Sequence, residues 1–91
     1  MPRALAIHRV VVAARERAAY LEALSARKSI FTAAGCNFWV FEEAEIIGAF
    51  VEFAEAGHPE TLAAGLQAAA ASTPGPQDPA RMPLYIEVPV E

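Results

Sequence analysis

The stretch Cys36-Asn37-Phe38-Trp39-Val40-Phe41-Glu42-Glu43 decides how this chain folds. Phe38 to Phe41 are four large apolar residues in succession, with no Gly or Pro among them. Aromatic and β-branched residues favour strands, and successive strand side chains point to opposite faces. Both faces of this strand therefore carry bulky apolar groups, and both need cover.

Working downstream, Ala44 to Ile47 reads as a turn and Ala49 to Glu55 as another strand. Val51 and Phe53 lie on one side of it, Phe50, Glu52 and Ala54 on the other. The two strands are close enough in sequence to form a hairpin. Gly57-His58-Pro59-Glu60 has the form of a helix start, with Pro at a first-turn position and an acid near the positive end. Leu62, Leu66 and Ala69 supply the apolar stripe of a short helix ending near Ala71. The composition of Ser72-Thr73-Pro74-Gly75-Pro76-Gln77-Asp78-Pro79 is that of a loop, long for so small a fold, which we extend to residue 83. Leu84 to Val88 alternates Leu84, Ile86 and Val88 against Tyr85 and Glu87, and Pro89 marks an edge or a strand end.

Upstream, Ala14 to Ala34 reads as a long helix with Tyr20, Leu21, Leu24, Phe31 and Ala34 on one stripe. Gly35 is placed to end it in the left-handed conformation. Arg15, Arg17, Arg27 and Lys28 make this helix partly basic; a solvated face accounts for them, with Arg27 or Lys28 also able to lie over the core. Ala4 to Val12 is an uninterrupted β-rich run in which His8 and Arg9, being adjacent, point to opposite faces.

Each half of the chain thus reads strand, helix, strand. The expectation is one α+β domain over residues 1–91: a ferredoxin-like βαββαβ protomer with a four-stranded antiparallel sheet in the order 4-1-3-2, and both helices on one face. The other face carries either Phe38 with Val40, or Asn37 with Trp39 and Phe41. Phe50 and Tyr85 are assigned to it, leaving Val51, Phe53, Leu84 and Ile86 under the helices. Strand spacing and rise give such a face roughly 300 Å² in plan. Exposed apolar patches of a few hundred Å² mark interaction sites, and a twofold pair of copies is the commonest way to cover one.

The 91 residues are 55% hydrophobic and carry seven basic and eleven acidic groups, a formal net charge of −4. Only the first helix clusters basic residues, which argues against a nucleic-acid partner. No apolar run reaches the ~18–20 residues that span a bilayer. Charged residues follow Met1-Pro2-Arg3-Ala4-Leu5 too soon for a signal peptide, so the cytoplasm is the expected compartment. The single cysteine, Cys36, and the two histidines make neither an internal disulfide nor a zinc pattern. No phosphate loop, nucleophile elbow or other cofactor motif is present, and we expect no metal or cofactor.

Two groups of residues are candidates for chemistry. Glu52, in an otherwise apolar strand, and His8 are the candidate catalytic pair. A carboxylate in an apolar cavity has its ionised form disfavoured, which is how acids and bases are tuned. Glu87 is set similarly, and the first strand, carrying His8 and Arg9, separates it from Glu52. Asn37, Trp39, Phe50, Tyr85 and Glu87 are the candidate ligand-binding set, since few polar groups among apolar walls suit a small polar aromatic molecule. Structural ion pairs, and an aromatic that simply packs, are the plainer accounts of the same residues. His58 reads as a helix-start residue.

The element order, the Gly35-Cys36 entry to the second strand and Phe50-Val51-Glu52-Phe53 on the third resemble the dimeric α+β barrel superfamily, its antibiotic-biosynthesis-monooxygenase-like branch most of all. The resemblance spans nearly the whole chain and implies a homodimer whose sheets close a barrel, with a ligand cleft between each sheet and its helices. Members include cofactor-free oxygenases, haem-degrading enzymes, isomerases and proteins of no known activity, so fold does not choose the chemistry. The branch commonly has a tryptophan shortly after the third-strand glutamate, where this chain has Phe53-Ala54-Glu55-Ala56. The resulting expectation is a homodimeric small-molecule-binding protein; a cofactor-independent monooxygenase-like enzyme acting on a small aromatic or apolar substrate is the alternative.

Overall fold

A computed structural model describes residues 2–72 and 83–90. Its elements run β1 (Ala4–Val11), a 3-10 turn (Ala14–Glu16), α1 (Arg17–Ala33), β2 (Asn37–Glu42), β3 (Ala49–Ala56), α2 (Pro59–Ser72) and β4 (Leu84–Ile86). The strands form one antiparallel sheet in the order β2-β3-β1-β4, which counted from β4 is β4-β1-β3-β2. This α+β arrangement of four strands and two helices is compatible with a ferredoxin-like protomer. Most of the loop expected after the second helix lies outside the described residues.

Local signals explain the boundaries. The helix expected from Ala14 opens instead as a 3-10 turn, and α1 proper begins at Arg17 with no side-chain cap. Its end is set by Gly35 at φ +84°. The Gly35 N–H donates to Thr32 O at 3.1 Å and the Cys36 N–H to Phe31 O at 2.8 Å, the paired bonds of a Schellman ending. Between β2 and β3 the turn closes at Gly48, where φ is +92° and a Cβ would meet the Val12 carbonyl oxygen at 2.6 Å. Val12 N–H donates to Gly48 O at 2.8 Å, tying the hairpin turn to the end of β1.

The core lies between the sheet and both helices. Phe31 of α1 and Leu62 of α2 are fully buried, with Leu24, Leu66 and Ala69 beside them. The sheet meets them with Ala4, Ala6, Phe38, Ala54 and Ala56. Phe31 and Phe38 stack with ring centroids 5.1 Å apart. The floor of alanines lets the helices approach closely. At Gly65 of α2 an added Cβ would meet Cys36 Sγ at 2.8 Å and the Phe31 ring at 3.2 Å.

This packing corrects the expected parity of β3. Phe50 and Glu52 face the helices with Ala54 and Ala56, whereas Val51 and Phe53 lie on the open face. Both halves of the alternation are apolar, so β3 taken alone favours neither. Small residues on one side, and partners on α1 for Glu52, decide it. Phe50 then meets Tyr20 at 4.7 Å between ring centroids. Of the two arrangements open for β2, Asn37, Trp39 and Phe41 take the open face, with Tyr85; Leu84 and Ile86 share the side of Ala6 and Ala4 but stay exposed instead of lying under the helices as expected. β4 is shorter than expected, ending at Ile86, after which Glu87 N–H donates to Arg3 O at 2.8 Å.

Candidate functional site

The covered face holds a polar network built around Glu52, which is 3% exposed. Tyr20 and Arg27 stand seven apart on α1, hence on one side of the helix, and both reach it. The Tyr20 hydroxyl donates to Oε2 at 2.7 Å, and Arg27 Nη1 donates to Oε1 at 2.5 Å. Burial first, and then the hydrogen bond to this carboxylate, push the Tyr20 hydroxyl far above the ordinary phenol range. It stays a donor at any physiological pH. His8 stands directly across the β1–β3 ladder from Glu52 on the same face. Its Nε2 and the Nε of Arg27 are buried without a hydrogen-bond partner among the described residues.

At the hairpin end of this face, Arg17 grips Glu42 with two hydrogen bonds of 2.7 and 2.8 Å, and Gly48 N–H donates to the same carboxylate at 2.8 Å. The Arg17 guanidinium also lies 5.3 Å from the Phe50 ring centroid. The hydrogen bonds from Arg17, then that from Gly48, hold the Glu42 carboxyl down to about 2.

A cleft of about 410 Å³ crosses all four strands at one end of the open face, lined by Arg3, Leu5, Trp39, Glu55, Tyr85 and Glu87 among others. The Arg3 guanidinium meets Glu87 at 3.0 Å and comes within 4.0 Å of Glu55. The mutual hydrogen bonds raise the Arg3 guanidinium and lower the Glu87 carboxyl from their ordinary values. Asn37 Nδ2 donates to Glu55 at 2.7 Å, holding that carboxylate beside the cleft. Two aromatic walls with a charged floor suit a small, mostly apolar ligand bearing a polar group. Beyond the cleft, Phe41 and Phe53 meet edge to face at 5.6 Å, and Arg9 pairs with Glu43 at 3.7 Å.

Neither the family models, the curated proteins nor the solved structures include a match to this chain.

Of the five residues expected to bind a ligand, Trp39, Tyr85 and Glu87 converge on the open-face cleft, and Asn37 braces its Glu55. Phe50 does not join them, because it lies beneath α1 on the opposite face. Glu52 and His8 do come together, but Glu87 and Arg9 are on the other side of the sheet. Sequence reasoning missed Tyr20, Arg27, Arg17 and Glu42. Tyr20 counted only as part of an apolar stripe, and Arg27 as a solvated or core-covering side chain. The seven-residue spacing of a phenol and a guanidinium on the stripe facing a lone strand carboxylate was the available signal. Arg3 and Glu55 were missed because their cleft is assembled from both ends of the chain.

Cys36 is buried, with Sγ 3.5 Å from the Thr61 carbonyl oxygen, and burial raises its thiol pKa. That removes thiolate character and with it nucleophilic reactivity. Among the described residues no group of three or more His, Cys, Asp and Glu side chains could hold a metal ion, and no helix is long and apolar enough to cross a membrane.

Proposed function

We propose that this chain is a homodimeric small-molecule-binding protein. Two ferredoxin-like protomers pack open face to open face in the manner of a dimeric α+β barrel, and the cleft at the end of each face takes a small apolar or aromatic ligand. The observation that carries this reading is the contrast in cover. The helix side buries its aromatics, whereas Trp39 and Phe41 on the other side remain 47% and 60% exposed. Ile7, Val51 and Phe53 continue the same apolar surface beside them. Arg3 with the carboxylates of Glu87 and Glu55 on either side of it supplies the polar end of the ligand site, and Trp39 and Tyr85 its walls.

The alternative is cofactor-independent, oxygenase-like chemistry at Glu52 and His8. Its support is the buried His8 Nε2, without a hydrogen-bond partner among the described residues, opposite a buried carboxylate. Binding is favoured because both oxygens of Glu52 already hold α1 donors, leaving it better suited to locking the helix than to taking a proton.

The test is titration with anilinonaphthalene sulfonate, followed by quenching of Trp39, the only tryptophan. Saturable binding of one probe per chain is expected, weakened roughly tenfold or more by Tyr85→Ala and unaffected by Phe50→Leu on the other face. Binding that ignores Tyr85 would end the assignment of the cleft. Under the catalytic alternative, Glu52→Gln abolishes turnover while leaving this probe bound.

A further inference from the structure

We infer that the outer edge of β2 is a second self-association surface, joining two sheets into one continuous sheet of twice the width. β2 is an edge strand, and among the described residues no strand lies beyond it. The Glu43 N–H bonds Ala49 O at 2.8 Å. By the alternation of antiparallel ladders, Asn37, Trp39 and Phe41 then turn their main-chain groups toward β3. Phe38, Val40 and Glu42 turn theirs outward. Edges of this kind are ordinarily protected by Lys, Pro or a bulge, and β2 has none of these between Asn37 and Glu42.

Beside the open ladder runs a groove of about 560 Å³ between α1 and β2, walled by Leu21, Leu24, Lys28, Phe38 and Val40 among others. An added strand would satisfy the outward main-chain groups and place alternate side chains in this groove.

A second copy is the occupant that fits. Antiparallel self-pairing centred on Val40 sets Phe38 against Glu42 and Val40 against itself in hydrogen-bonded positions. It sets Trp39 against Phe41 of the other copy on the open face, and Asn37 against Glu43. The facing α1 helices, related by the same axis near Ser25, then set Glu22 of each copy level with Lys28 of the other along the helix. Neither has an ion-pair partner among the described residues.

The twofold axis of edge pairing is perpendicular to the sheet, and that of face packing lies parallel to it. Where these axes intersect and the face-packed sheets leave their β2 edges open, the two contacts combine in one tetramer of dihedral symmetry.

The experiment is light scattering on the intact chain at high micromolar concentration. The wild type is expected to contain four copies. Val40→Pro removes an outward N–H and spares the β3 ladder, and it is expected to give two. Ile7→Lys, on β1 of the open face and far from the β2 edge, is also expected to give two, and the double variant one. Should Val40→Pro upset folding by circular dichroism, Lys28→Glu serves instead. It is expected to weaken tetramer formation roughly tenfold, with Glu22→Lys added to it restoring assembly. A wild type of two copies split only by Ile7→Lys overturns the edge surface while keeping the face dimer. Two copies split only by Val40→Pro does the reverse. An edge that binds an unrelated extended peptide but never a second copy also overturns the inference.

Discussion

The two faces of this sheet carry similar apolar content and use it differently. Under the helices much of the floor is Ala4, Ala6, Ala54 and Ala56, with Phe38 and Phe50 bulky only toward β2 and the hairpin, and Phe31, Leu62 and Leu66 fill in from above. On the open side the strands themselves supply the bulk, through Trp39, Phe41, Phe53 and Tyr85. A helix can approach a sheet closely only over small residues, whereas a face awaiting another molecule keeps its large side chains as contacts. Charge is divided the same way. The covered face satisfies Glu52 internally, and the open face keeps its charges at the rim in Arg3–Glu87 and Arg9–Glu43.

The largest test of that contrast is a pair of truncations. Phe31→Ala, on the covered side, is expected to cost about 3–5 kcal/mol of stability through the cavity it leaves. Phe41→Ala, on the open side, should change the stability of the isolated protomer by under about 1 kcal/mol. Urea unfolding at concentrations too low for assembly compares them, and equal losses would erase the distinction between the faces.

Glu52→Gln comes next. It keeps the shape but leaves the partly buried Arg27 guanidinium without its counter-charge, for an expected loss of about 2–4 kcal/mol. A companion Arg27→Met should recover part of it, measured as a double-mutant cycle. Full additivity would mean that the pair does not couple.

A subtler effect is the pH dependence at Glu42. Its folded value of about 2 lies below the unfolded carboxylate range. Its contribution is therefore complete above about pH 5, and drains as pH falls toward 2. An NMR titration of its carboxyl carbon should show the low midpoint, moving up toward the ordinary range in Arg17→Gln.

How much of this could be read in the chain depends on the residue. Gly35 after a long apolar stripe marks the end of α1, and the uninterrupted Phe38–Phe41 run marks β2. The convergence of Trp39, Tyr85 and Glu87 followed from strand alternation plus strand order, both local or simple rules. Phe50 was misplaced because β3 is apolar on both sides, so its period says that it alternates and leaves open which half goes inside. Arg27 and Tyr20 escaped notice because a helical stripe shows that residues share a side, without showing what lies opposite.

Local chemistry in the sequence determined the order of elements, since hydrophobic period and turn residues act over a few positions at a time. Tertiary packing alone decided which side of β3 is covered and which charges meet. Close approach of helix to sheet selects small residues, and a buried carboxylate is tolerated only where donors from another element reach it.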